Sequence, residues 1–429
     1  MNKCKLSSVA LAVTTIIASF SISASSENIE ELTKRVQELE AKIDLSYADN
    51  QQPMVLTPDL EIPLGIVFSG YARYGAHYSA GDQRYVQVGT TGVATGRLGN
   101  EANGGEFQFA KVFSNDDGPI WDVAFMIDQW GVDQWDSPGG LSLKKAYAGV
   151  TNIFESQPDL YVWAGRDFHQ RPKQSLNDYA WMDHDGQGGG FYNLNLAGTK
   201  FDFGFIGQVD YGDGGALGND TGRYALTSKL HGIELGGANI ALFANYGFAS
   251  DEAVTVGSPD VNNETAWQLA SQLDFSPAAK LIVRYADGAD SSVFNLSGDV
   301  QALYASFEGA VNVTEPFAVE YLTSYKNVSG SDADERNEYS VIVRPTYQWN
   351  NIHSTWLETG YALEDHKNGD EKSGWKVTLS QNISWGGLPG SRPMLRFYTT
   401  VGDVDNSVQG TSSVKQDTLS VGAMWEAWW

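Results

Sequence analysis

The side chains of this chain that are best placed to do chemistry are suited to binding rather than to bond-making. The sequence contains no H-E-x-x-H, no G-x-S-x-G and no G-x-x-x-x-G-K segment. Its six histidines (His77, His169, His184, His231, His353, His366) show no metal-ligand spacing, so no metal and no cofactor is expected. The densest polar group, Asp183-His184-Asp185, lies in a glycine-rich stretch and reads as a solvated or calcium-touching turn. No pair of carboxylates stands out for glycoside hydrolysis. The telling residues come two apart instead: Tyr71 with Arg73, and Glu426 with Trp428. Aromatic faces lie against the flat C–H faces of a sugar, while Arg, Asp and Glu exchange hydrogen bonds with its hydroxyls. Several weak sites in series would let a sugar enter and leave quickly. The plainer reading of Tyr71, Arg73 and Trp428 is that they merely fill a lumen.

A spacing of two needs strands to position it. In the final stretch, Leu419, Val421, Ala423, Trp425, Ala427 and Trp429 alternate with Ser420, Gly422, Met424, Glu426 and Trp428. Such alternation over about ten residues marks a strand with lipid on one side and water on the other. A soluble sandwich strand would alternate too, so the rest of the chain decides. Phe68, Gly70, Ala72, Tyr74, Ala76 and Tyr78 alternate with Ser69, Tyr71, Arg73, Gly75 and His77, and the pattern recurs at 121–127, 201–205, 317–325, 339–343, 375–379 and 395–399. Gly/Asp/Asn clusters at 210–215, 329–334 and 367–370 separate these segments as turns and loops. At roughly 20 residues per strand and loop, positions 67–429 hold about 18 strands. The expected fold is all-β: a closed antiparallel transmembrane barrel with both ends on the periplasmic side. Closure sets the last strand beside the first, bringing Trp428 next to Tyr71 and Arg73 and pointing Trp428 and Trp429 opposite ways.

Composition agrees. The 429 residues include 46 Gly, 13 Trp, 20 Tyr and 19 Phe, as many strands and turns require. A net charge of −25 excludes a nucleic-acid partner, which wants a basic face, and suits acidic loops above a cation-rich lipid surface. The one cysteine, Cys4, rules out disulfides, thiolate zinc sites and a cysteine nucleophile in the remainder. Residues 1–24 read as a secretory signal: Lys3 and Lys5, then an apolar run from Val9 to Phe20, then small residues. Within 27–45, Ile29, Leu32, Val36, Leu39 and Ile43 form a short a/d seam, expected to be a periplasmic coiled-coil helix. Two heptads are marginal alone. Residues 46–66, with Pro53, Pro58 and Pro63, read as a linker.

Several stretches resemble the maltoporin (LamB-type) family of trimeric sugar porins. Phe68-Ser-Gly-Tyr-Ala-Arg-Tyr-Gly75 is similar to that family's opening strand, and Arg97-Leu-Gly-Asn-Glu101 to the motif that follows. Trp163-Ala-Gly-Arg-Asp-Phe-His-Gln-Arg171, running on to Asp178 and Gly186-Gln-Gly-Gly-Gly190, resembles the strand and in-folded third loop that narrow the pore. Ser391-Arg-Pro393 and Glu426-Ala-Trp-Trp429 complete the likeness, and the N-terminal extension resembles the sucrose-porin branch. The resemblance implies a polar track of Arg73, Arg97, Glu106, Arg171 and Asp178, with Lys144 where the family has arginine. It implies an aromatic slide beginning at Tyr71 and ending at Trp428, with intermediate members replaced by Gly105 and Gly390. At the constriction the usual tyrosine becomes Ala180, flanked by Tyr179 and Trp181 as substitute contacts.

The expectation is therefore a passive sugar channel of the outer membrane, homotrimeric, surrounded by lipid and lipopolysaccharide, and not an enzyme. The alternative on the same scaffold is a general diffusion porin for small hydrophilic solutes and ions, favoured by the eroded slide.

Overall fold

The computed structural model describes residues 66–429 other than 115–117, 132–140, 210–220, 251–263, 277–278 and 387–389. The expected signal, heptad segment and loop at 210–215 lie outside the described residues, as does the linker except Ile66, which opens the first strand. Eighteen strands form one sheet, each antiparallel to the next, and the first (Ile66–Ser79) pairs with the last (Val414–Trp428). The ring has no free edge, so every ladder group finds a partner without water, which is the condition for strands to cross lipid. No helix among the described residues is long and apolar enough to cross a membrane.

Alternation decides which way each side chain points. In the last strand Leu419, Val421, Ala423 and Trp425 are exposed on the outer surface, while Ser420, Met424 and Glu426 are buried. The same outward band exposes Phe125, Leu242, Leu269, Trp375, Leu379 and Phe397. Apolar exposure on that scale belongs against lipid rather than water. Aromatic contacts gather at its lower edge, where Trp429 lies 5.5 Å from Phe68 and 6.0 Å from Phe107.

The interior is not an open tube. Residues 80–103, between the first two strands, fold inward against the wall. Val86, Val88 and Ala94 pack on Ala362 and Val404, and Leu98 packs on Trp356 and Met394. Residues 168–185 fold inward too, built around a hairpin of Lys173–Gln174 and Tyr179–Ala180. A third segment, 288–300, buries Ala289, Val293, Phe294 and Leu296 beside them. Only the second of these infolds is expected from the sequence.

The three segments are fastened to one another and to the wall behind them. Arg97 N donates to Leu176 O and Val93 N to Asn177 O, joining the first to the second. Val293 N donates to His184 Nε2 at 3.3 Å, joining the third to the second. His184 is therefore fully buried under Phe294 rather than part of a solvated turn. On the wall, Ser340 Oγ donates to Ala94 O, Leu98 N donates to Glu358, and Lys376 donates to the carbonyls of Gly96 and Leu98. Gln174, Tyr304 and Ser306 link the hairpin to the strand Gln301–Thr314.

Candidate functional site

The infolds cover one side of the lumen and leave part of the other open. Beneath them Gln268, Arg284, Tyr304, Ser340, Glu358, Lys376 and Thr378 retain no more than 2% of their surface. Opposite stand the last strand and the first four: Ile66–Ser79, Gly104–Ser114, Ile120–Trp130 and Ser142–Thr151. Their lumen row keeps Tyr71, Glu106, Trp130, Lys144 and Trp428 partly exposed.

Register brings three rings of this uncovered wall into line. Tyr71 pairs with Trp428 across the closing seam, and their rings lie 6.3 Å apart at 28°. On its other side Tyr71 is 6.0 Å from Trp130 at 31°. Gly104 makes room for that indole: with φ +154°, an added Cβ would sit 2.4 Å from the Trp130 ring. The expected juxtaposition of Tyr71, Arg73 and Trp428 is what the strand register produces. Trp130 did not figure in the sequence reading, although it shares the inward parity of Asp128 and closes the third strand.

Charged groups run beside the rings. Arg73 lies 5.1 Å from the Trp130 centroid, donates to Tyr71 Oη at 3.2 Å and pairs with Asp178 at 3.2 Å. Asp178 also faces Lys173 at 3.6 Å, a cation the sequence reading passed over. Burial alone would raise the Asp178 carboxyl, but Lys173, Arg73 and Arg97 outweigh it and hold it below the usual carboxylate range. Arg171 pairs with Asp185 at 2.8 Å and stacks on Phe168, while Lys144 pairs with Asp128 at 3.5 Å. Glu106 sits across the ladder from both Tyr71 and Asp128. Arg97 stands one layer back, donating to Glu426 at 2.9 Å with 13% of its side chain exposed.

Three sequence expectations change. Tyr179 and Trp181 do not face the opening. Tyr179 meets Tyr304 edge-on at 5.3 Å and Trp181 meets Phe243 at 5.6 Å, because the hairpin turns Gln174 and its cross-strand partner Tyr179 toward the covered wall and leaves Lys173 and Ala180 on the other face. Gly105 does not mark a lost slide ring. It pairs with Ala72 on the outward row, where an added Cβ would lie 2.7 Å from that of Ala72. Gly390 is exposed, with nothing near its Cα that a side chain would meet.

A family profile described as LamB porin matches residues 66–429. The chain belongs to the LamB porin family. Among solved structures this LamB porin is similar to the anion-selective porin from Comamonas acidovorans, at 14% identity over 84% of this chain and 99% of that one, with a TM-score of 0.44. It is also similar to Pseudomonas aeruginosa OccD3, at 12% identity over 86% of this chain and 92% of that one, with a TM-score of 0.46. Membership and the closed barrel make this LamB porin an outer-membrane channel for the diffusion of solutes, a channel rather than an enzyme.

Proposed function

We propose that this porin passes sugars, di- and oligosaccharides of the maltodextrin or sucrose kind, passively along the uncovered wall. The observation that supports this most is the row Trp130, Tyr71 and Trp428 beside Arg73, Asp178 and Lys173. Rings in series offer faces for a sugar to slide over, and the adjacent charges trade hydrogen bonds with its hydroxyls. Arg171, Lys144 and Glu106 extend the polar side of the track. The same reading takes the porin as a homotrimer among outer-membrane lipid and lipopolysaccharide. Residues 1–24 would direct export, 27–45 would form the periplasmic coiled coil, and 46–66 would join it to the barrel at 67–429.

Ion current through a planar bilayer tests the reading. Maltotriose or sucrose added to open channels should block the current saturably, with a strength that depends on linkage and length. Flux that rises without saturation, with no block by any sugar, favours a general diffusion porin instead.

A further inference from the structure

Two of the rings on the uncovered wall share one anchor. The Glu426 side chain has no exposed surface. Its Oε1 accepts from Tyr71 Oη at 2.7 Å and from Arg97 Nη2 at 2.9 Å, and its Oε2 accepts from Arg392 Nε at 2.9 Å. Arg392, 3% exposed, stands over Trp428 with its guanidinium carbon 4.2 Å from the ring centroid. It stands 5.9 Å from the buried Trp356, which is 5.4 Å from Arg344. Indole and guanidinium thus alternate from the lumen into the wall, with Glu426 and Glu358 neutralising the cations from the side. A planar cation held against an indole resists tilting of that ring, since rotation would forfeit the contact.

We propose that Glu426 is the positioning residue for both stacking faces, acting directly on Tyr71 and through Arg392 on Trp428. The inference rests on the sugar reading above. Breaking a purely structural ion cluster would cost stability alone. A positioning role makes the residence time of a bound sugar depend on Arg392 only while Trp428 is present.

Single-channel block of the full-length porin by maltotriose separates the two. Arg392→Met should shorten the sugar's residence time about 5-fold and leave sugar-free conductance unchanged. Arg392→Lys keeps the charge, loses the planar fork, and should recover only part of that loss. In a Trp428→Ala background Arg392→Met should have no further effect. An equal fold-change in both backgrounds would overturn the inference while leaving the sugar reading intact. Should Arg392→Met fail to form channels, Tyr71→Phe serves, keeping the ring and losing only its bonds to Glu426 and Arg73. It should shorten residence about 2-fold, and an unchanged residence time would overturn the inference. A parental channel that no sugar blocks would overturn the sugar reading and this inference together.

Discussion

The two sides of the lumen are built from the same alternating strands yet spend their inward side chains differently. On the covered side they become a core: Glu358 takes Arg344 at 2.7 Å and Lys376 at 3.2 Å, and also accepts from Leu98 N. On the uncovered side similar residue types stay partly exposed: Lys144 beside Asp128, and Tyr71 between two indoles. The lesson is that inward polarity alone does not make a binding surface. What does is the failure of an infold to cover it.

The contrast can be broken most forcefully on the covered side. Glu358→Gln would leave the buried Lys376 without its carboxylate and Arg344 with Glu320 alone, at a cost of about 3–5 kcal/mol. Thermal unfolding of the purified barrel should register it as a large drop. Little change would mean that the infold is not fastened there. On the uncovered side the expected loss is of binding rather than of stability. Trp130→Ala or Trp428→Ala should weaken sugar block about 10-fold while barrel stability stays near parental. An unchanged block would place that ring outside the path.

Acid should sharpen the comparison at the infolds. Burial raises the Asp290 carboxyl, but Arg284 and Lys326 outweigh it and hold it below its ordinary value, as Lys173, Arg73 and Arg97 do for Asp178. A lowered folded value means the ties are complete above about pH 4, where a free aspartate ionises, and are lost as pH falls through the folded values. With Asp185, whose carboxyl burial raises well above its ordinary value, replaced by Asn, current noise should therefore be flat between pH 7 and 5 and rise only below about pH 4. A rise near neutrality would contradict this. Asp290 matters because it joins three segments: Lys326, at 2.6 Å from it, also donates to Thr90 on the first infold, and Arg284 donates to the Trp181 carbonyl on the second. The smallest effect is expected from Tyr179→Phe and Trp181→Phe, which should leave sugar block within about 2-fold of parental because both rings face the covered wall.

The barrel was legible because a period of two is written into every strand, and the parity of Glu426, Trp428 and Trp429 fixed which way the last strand faces. Closure then followed, and with it the meeting of Tyr71 and Trp428. The infold at 80–103 was not legible. Its four buried apolar residues, Val86, Val88, Ala94 and Leu98, are spread among glycine, threonine and asparagine, and what buries them lies hundreds of positions later on the strands of the far wall. The same distance hid the roles of Glu426 and Arg392, which were conspicuous only as parts of motifs. Trp130 shares the parity of Asp122, Ala124 and Asp128, so the alternation of its strand reaches it. For Tyr179 and Trp181 the flanking of Ala180 was the wrong guide, because a two-residue hairpin strand puts neighbours on opposite faces.

Thiol accessibility tests most directly the claim that solutes run along the uncovered wall. Cys4 is the chain's one cysteine, so an introduced thiol in the barrel can be read cleanly. Glu106→Cys should react quickly with a charged, membrane-impermeant methanethiosulfonate, reduce the current, and be protected by maltotriose. Ser340→Cys, whose side chain donates to Ala94 O beneath the infold, should stay unreactive in the folded channel. Fast labelling at 340, or no labelling at 106, would contradict the division of the lumen.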